Sequence, residues 1–190
     1  MRQTLQKIYG MASDAIMLLS VGELNENKNH QIVIRALAKI KDNRVHYFIA
    51  GNGNDGMKKK LVDLAGQLGI SDRIHLLGYR ADVPELMQAA DIYLLPSLRE
   101  GLNVSLMEAM AAGLPVVCSK IRGNVDLIVD NKCLVEASDV ERWRNALERL
   151  IVSSTTELKL YGDKNYELIR KCDSSRIIRK MKYIYVETIQ

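Results

Sequence analysis

The chain has 190 residues, of which 47% are hydrophobic and 26% charged, with a net charge of +4. A chain of this size buries about 70% of its unfolded surface, which excludes a disordered tail and a disulfide-stapled miniprotein. Apolar runs such as residues 15–21 and 92–96 fall far short of the ~20 residues a membrane helix needs.

The opening Met1-Arg2-Gln3-Thr4 lacks the apolar run of a secretory signal, so the expected location is the cytoplasm. The cysteines Cys118, Cys133 and Cys172 are odd in number and show no C-x-x-C spacing. That argues for a reducing compartment and against a disulfide frame or a zinc site. Charge is uneven. Residues 174–190 hold Arg176, Arg179, Lys180 and Lys182 against Glu187 alone, and the rest is close to neutral. A nucleic-acid-binding face is not expected.

In chain order, the predicted strands are residues 15–21, 45–50, 73–77, 91–95, 115–119 and 132–136. They are unbroken apolar runs, the pattern of strands covered on both faces. Between them, helices are expected at 29–41, 54–68, 82–90, 103–112 and, briefly, 124–129. In the first, Ile32, Val33, Ala36, Leu37 and Ile40 recur at three- and four-residue steps. This alternation predicts an α/β fold, a doubly wound, Rossmann-like parallel sheet of six strands. After residue 138 only helices are expected, opened by the capping boxes Ser138-x-x-Glu141 and Ser154-x-x-Glu157, with a last one near 175–186.

Ligands of such sheets bind at the carboxyl ends of the strands, and three loops there carry chemistry. In residues 22–29, Gly22 lets the backbone approach a ligand, and Lys28 stands just before a helix whose free N–H groups attract anions. The same loop also reads as an ordinary polar turn with Asn29 as the N-cap. Residues 51–56 spell G-x-G-x-x-G, the dinucleotide pattern. That pattern needs an acid ending the next strand, ~20 residues on. Asp72 precedes that strand and Asp82 lies too far along. A tight turn is the better reading.

The third loop spans residues 96–110. From Gly101 to Ser119 the only charged residue is Glu108. Ser105-x-x-Glu108 is itself a capping box, but that leaves Glu100 unexplained, at a strand's carboxyl end and followed by Gly101. Two acids lining a cleft, with backbone N–H groups between them, suit a polyhydroxylated, phosphorylated ligand. His30, His46 and His75 have no ligand or triad spacing and read as structural or surface residues. The basic tail mixes Ile177, Ile178, Met181, Ile184 and Tyr185 with its cations, so it could lie on an anionic membrane or dock on a partner domain.

These pieces together resemble the donor-binding half of the family-4 (group 1) retaining glycosyltransferases, two-domain enzymes of the B-type fold. The likeness covers roughly residues 15–150. It rests on Val21-Gly22, Lys28, Ile49-Ala50-Gly51-Asn52-Gly53, Leu77-Gly78-Tyr79, Ala89-Ala90-Asp91, Glu100-Gly101 and the run from Glu108-Ala109-Met110 to Pro115-Val116-Val117.

The resemblance implies roles. Glu100, the catalytic candidate, would contact hydroxyls of the transferred sugar, helped by the backbone of Gly101, Leu102, Asn103 and Val104. Glu108 would bind the ribose, Lys28 would neutralise the diphosphate with Gly22 beneath it, and the backbone around Tyr79 and Arg80 would meet the base. No metal and no cofactor is expected, the nucleotide sugar being a substrate. The family usually has Arg directly after the first glycine, where this chain has Glu23. Arg99 and Arg122 are candidates to replace that cation.

The resemblance further implies that residues 1–14 are a linker remnant, that 15–173 form the donor domain, and that 174–190 pack on an N-terminal acceptor domain absent from these residues. The implied reaction moves a sugar from a nucleotide diphosphate sugar to a saccharide or lipid-linked hydroxyl in polysaccharide or glycolipid synthesis, in the cytoplasm or at the inner face of the membrane. The chain alone would transfer little. Alternatives are a stand-alone nucleotide-sugar-binding module, half of a nucleotide-sugar epimerase and, last, a dehydrogenase.

Overall fold

The computed structural model describes residues 1–128 and 130–171. Its centre is a six-stranded, wholly parallel sheet in the order β3-β2-β1-β4-β5-β6. The strands are β1 (Ile16–Val21), β2 (Val45–Ala50), β3 (Ile74–Gly78), β4 (Ile92–Leu95), β5 (Val116–Ser119) and β6 (Leu134–Val135). Seven helices surround it among the described residues: α1 (Arg2–Ile8), α2 (His30–Leu37), α3 (Asp55–Gln67), α4 (Val83–Ala89), α5 (Val104–Ala111), α6 (Val140–Ile151) and α7 (Thr155–Arg170).

Burial on both faces explains the apolar runs. Along β1 the side chains alternate between two cores, Leu18 entering one and Met17 and Leu19 the other. The first core packs the sheet against α2, α3 and α6 through Ile32, Val33, Leu61, Trp143 and Leu147. The second packs it against α1, α4, α5 and α7 through Leu5, Leu86, Leu106, Met110 and Ile169. The doubly wound expectation holds.

Several local expectations change. Residues 124–129 do not show the short helix: 122–127 form successive turns, and residue 129 lies outside the described residues. Gly123 opens the turn at φ +90, and the buried Asn124 Nδ2 donates to Ser119 O at 2.9 Å, folding the segment back onto β5. The cap of α6 is Asp139, whose carboxylate accepts from Arg142 N at 3.0 Å, so Ser138 opens no capping box. The Ser154–Glu157 box is formed in full. The first predicted helix ends at Leu37 rather than at residue 41, and the last strand narrows to Leu134–Val135 after a 3-10 turn at Asn131–Cys133. The expected helix at 175–186, and with it the segment 174–190, lies outside the described residues.

Residues 2–8 form α1, whose buried Leu5 joins the second core. Arg2 donates to Ala15 O at 2.6 Å and bridges Asp91 at 3.0 Å. Asp91 also accepts from Met17 N at 2.7 Å, clamping the entry to β1.

Candidate functional site

The strand order reverses between β1 and β4, and a crevice for ligands opens at the carboxyl ends of strands flanking such a switch. The loops leaving β1 and β4 are two of the three that stand out in the sequence, and the fold stitches them together. Leu98 N donates to Asn27 O at 2.7 Å, and Asn27 Nδ2 to Arg99 O at 2.9 Å. Asn29, in the left-handed region at φ 50, sends Nδ2 to Pro96 O at 3.2 Å and to Ala137 O at 2.9 Å. Its side chain therefore laces three strand ends and does not cap α2.

At the centre, Lys28 Nζ meets Glu100 Oε1 at 2.7 Å, with the two side chains 19% and 13% exposed. Lys28 runs directly over Gly22: a methyl group on that glycine would stand 3.1 Å from Lys28 Cε. Gly22 and Lys28 of the first loop and Glu100 of the third are thus brought together by the fold. Burial pushes the Glu100 carboxyl up, but the Lys28 ammonium, with Ser97 and Asn103 alongside, more than offsets this and holds it below the ordinary range. Ser97 is wholly buried beside the carboxylate.

Asn103, not Ser105, caps α5, accepting from Leu106 N at 3.0 Å. Ser105 serves elsewhere. Its hydroxyl accepts from Tyr93 Oη at 2.6 Å, and its own hydrogen lies within reach of Asn103 Oδ1 at 2.8 Å and Val21 O at 3.2 Å. Tyr93 on β4 therefore ties the end of β1 to the start of α5. Burial raises its phenol well above the ordinary value, and the facing carboxylates of Glu108 and Glu100 add to that. Glu108 is exposed on α5 beyond the capping turn. Leu102 and Val104 stand 71% and 61% exposed beside it.

The loop after β2 lies against the loop after β1. Gly22 N donates to Ala50 O at 2.9 Å, Leu24 N to Asn52 O at 2.7 Å, and Gly51 N to Gly78 O at 2.8 Å. Asn52 Oδ1 accepts from Tyr79 N at 3.0 Å, so that amide is already engaged. The Arg80 guanidinium is held by Asp82 at 2.6 Å. Tyr79 and Arg80 thus sit on the ledge formed by β3, β2 and β1, with β2 and β1 between them and the strand that leads to Glu100.

Glu23 is exposed and accepts from Asn25 Nδ2 at 3.2 Å. Arg122 is exposed and adjoins Gly123. A Cβ on Gly123 would stand 2.2 Å from Gly101 O. The turn after β5 is therefore seated on the Glu100–Gly101 backbone. Among the described residues, no group of three or more His, Cys, Asp or Glu could hold a metal ion, and no helix is long and apolar enough to cross a membrane. The histidines are structural: His30 pairs with Tyr47 at 2.9 Å, and His46 with His75 at 3.0 Å. Asn27, Asn29, Tyr93 and Ser105 are the residues of the site that the sequence reading missed. For Tyr93 the signal was there, since a tyrosine in a strand buried on both faces must find a partner for its hydroxyl.

Known proteins share this fold over most of the chain. The chain is 27% identical over 191 residues to an Escherichia coli enzyme, UDP-Gal:alpha-D-GlcNAc-diphosphoundecaprenol alpha-1,3-galactosyltransferase, a match covering 97% of this chain and 49% of that protein. It superposes on Anabaena Alr3699/HepE in complex with UDP with a TM-score of 0.86 at 23% identity, covering 97% of this chain and 52% of that one. On the C-terminal domain of the group 1 glycosyl transferase LpcC from Francisella tularensis the TM-score is 0.77 at 23% identity, covering 90% of this chain and 92% of that domain. The chain spans about half the length of the curated relatives it matches. The family model for glycosyl transferases group 1 matches residues 1–166, and the chain belongs to that family.

Proposed function

We propose that this chain is the donor-binding half of a retaining glycosyltransferase that moves a sugar from a nucleotide diphosphate sugar to a hydroxyl acceptor in polysaccharide or glycolipid synthesis. The observation that carries the reading is the Lys28–Glu100 pair at the switch point, with Glu108 on α5, the helix into which the Glu100 loop leads. One cation and two carboxylates in one cleft match the three parts of such a donor: diphosphate, sugar hydroxyls and ribose hydroxyls.

On this reading Glu100 accepts from the transferred sugar, aided by the backbone of Gly101, Leu102, Asn103 and Val104. Glu108 holds the ribose. Lys28 and the start of α5 stabilise the charge that develops on the leaving diphosphate, and Gly22 leaves room for it. The backbone of Tyr79 and Arg80 receives the base. Arg99 and Arg122, both exposed, are the candidates for the cation that the family sequence has at the position of Glu23. No metal or cofactor is required, so donor affinity is expected to be unchanged by EDTA.

The exposed Leu102 and Val104 beside the cleft support a covering N-terminal domain that brings a saccharide or lipid-linked acceptor. Such an enzyme works in the cytoplasm or at the inner membrane face. A thermal-shift panel with UDP, GDP, ADP, their sugar conjugates and NAD tests the reading. Stabilisation by one nucleoside diphosphate, lost in Glu108→Ala and kept in Glu100→Ala, is expected. Stabilisation by NAD alone overturns it.

A further inference from the structure

We propose that the Lys28–Glu100 pair makes this site discriminate between a nucleoside diphosphate sugar and the bare nucleoside diphosphate. The proposal rests on the donor reading above. Lys28 and Glu100 bond directly to each other at 2.7 Å in a setting where neither side chain is more than a fifth exposed. A phosphate that takes the Lys28 ammonium competes with Glu100 for it. A half-buried carboxylate that loses its cation is left undercompensated, which is unfavourable unless new donors reach it.

Hydrogen bonds and close packing hold both backbones. Lys28 N is held by Asn25 Oδ1 at 3.0 Å, and the Lys28 side chain lies across Gly22. On the other side, the carbonyl of Arg99 is held by Asn27 at 2.9 Å, and Gly123 is seated on the carbonyl of Gly101. Exchange of partners is therefore a side-chain event. Ser97 and Asn103, the other polar neighbours of Glu100, bring no charge that could stand in for Lys28.

The two ligands then differ in what they return to Glu100. A nucleotide sugar offers hydroxyl donors to the carboxylate as its diphosphate draws Lys28 away. A nucleoside diphosphate draws Lys28 away and offers nothing. The pair thus weakens binding of the product relative to the donor, which favours product release. A neutral residue at position 100 removes the competition for Lys28, and the bare diphosphate gains most.

Isothermal titration of the 190-residue chain and of Glu100→Gln with UDP, GDP, ADP, UDP-glucose, GDP-mannose and ADP-glucose tests this. For the base the unmutated chain prefers, Glu100→Gln should bind the bare diphosphate about fivefold tighter, equivalent to about 1 kcal/mol. Its preference for the sugar conjugate over the bare diphosphate should shrink. Glu100→Asp, whose carboxylate is too short to keep the contact, should move the same way by a smaller factor. This second variant keeps the test valid if the glutamine variant misfolds. Equal or weaker binding of the bare diphosphate by both variants, with nucleotide binding by the unmutated chain intact, overturns the proposal and leaves the donor reading standing. Failure of the unmutated chain to bind any of the six overturns both.

Discussion

Gly51 lies so close to the Gly22 carbonyl that a Cβ on Gly51 would stand 1.8 Å from that oxygen. Two residues on, a Cβ on Gly53 would stand 2.4 Å from Leu24 Cβ. Gly51 and Gly53 of the G-x-G-x-x-G pattern therefore let the loop after β2 press against the loop after β1, next to the backbone over which Lys28 passes. Their spacing copies a dinucleotide fingerprint, but their neighbours are other loops of this chain.

Gly51→Ala should destabilise the chain by roughly 3 kcal/mol or more, because the atoms it meets are backbone and cannot rotate away. Gly56, the last glycine of the pattern, lies inside α3, and a Cβ there would meet only Asn54 Oδ1 at 3.4 Å. Gly56→Ala, at the second residue of α3, should be neutral or stabilising by less than about 1 kcal/mol. Urea unfolding of both variants checks the contrast. Equal destabilisation would mean that Gly56, too, is needed for close packing.

Tyr93→Phe removes the hydroxyl that reaches Ser105 from β4. A loss of about 1 kcal/mol in stability is expected for one buried hydrogen bond. Nucleotide affinity should fall severalfold as well, because the start of α5 and the end of β1 lose their common tie. Calorimetry with UDP, GDP and ADP, alongside a melting curve, reads both effects. Unchanged affinity would show that α5 holds its place without Tyr93.

Stability should decline as the pH falls from about 6.5 toward 4. His30 and His75 are held at about 3 and about 4, against an ordinary 6.5. Burial disfavours the charged ring in both, with Lys28 adding at His30 and His46 at His75. The unfolded chain therefore binds more protons than the folded one in this window, so stability is full above about 6.5 and drops on acidification. The limiting slope is about 1.4 kcal/mol per pH unit for each group. Melting curves between pH 7 and 5 should show the decline. It should be shallower in His30→Asn, which can still bond to Tyr47 and carries no titrating ring.

The start of α6 offers a clean test of which side chain caps it. Asp139→Ala should destabilise the chain by about 1 kcal/mol, whereas Ser138→Ala should stay within about 0.5 kcal/mol. The reverse order in thermal unfolding would restore the capping box read from the sequence. Ser154→Ala, which breaks a complete box, should resemble Asp139→Ala.

Much of this protein was legible in its sequence. The six apolar runs, the helical spacing between them and the lone acid in the run from Gly101 to Ser119 are local properties. Burial on both faces of a parallel strand leaves no alternative to a continuous apolar stretch, so strand positions and fold class followed from chain order alone. The family pieces placed Gly22, Lys28 and Glu100 in the loops at strand ends, and Glu108 on the helix that follows, for the same reason. The tertiary structure decided what no spacing encodes: which strand ends become neighbours. Residues 28 and 100 meet because β1 and β4 pair at the switch point, and only that pairing turns a loop lysine and a loop glutamate into one ion pair. The caps shifted from Ser105 to Asn103 and from Ser138 to Asp139 for a similar reason. At each helix start two side chains compete, and the contacts around them settle which one turns inward. In α5 those contacts are Tyr93 and Val21, which are distant in sequence and adjacent in the fold.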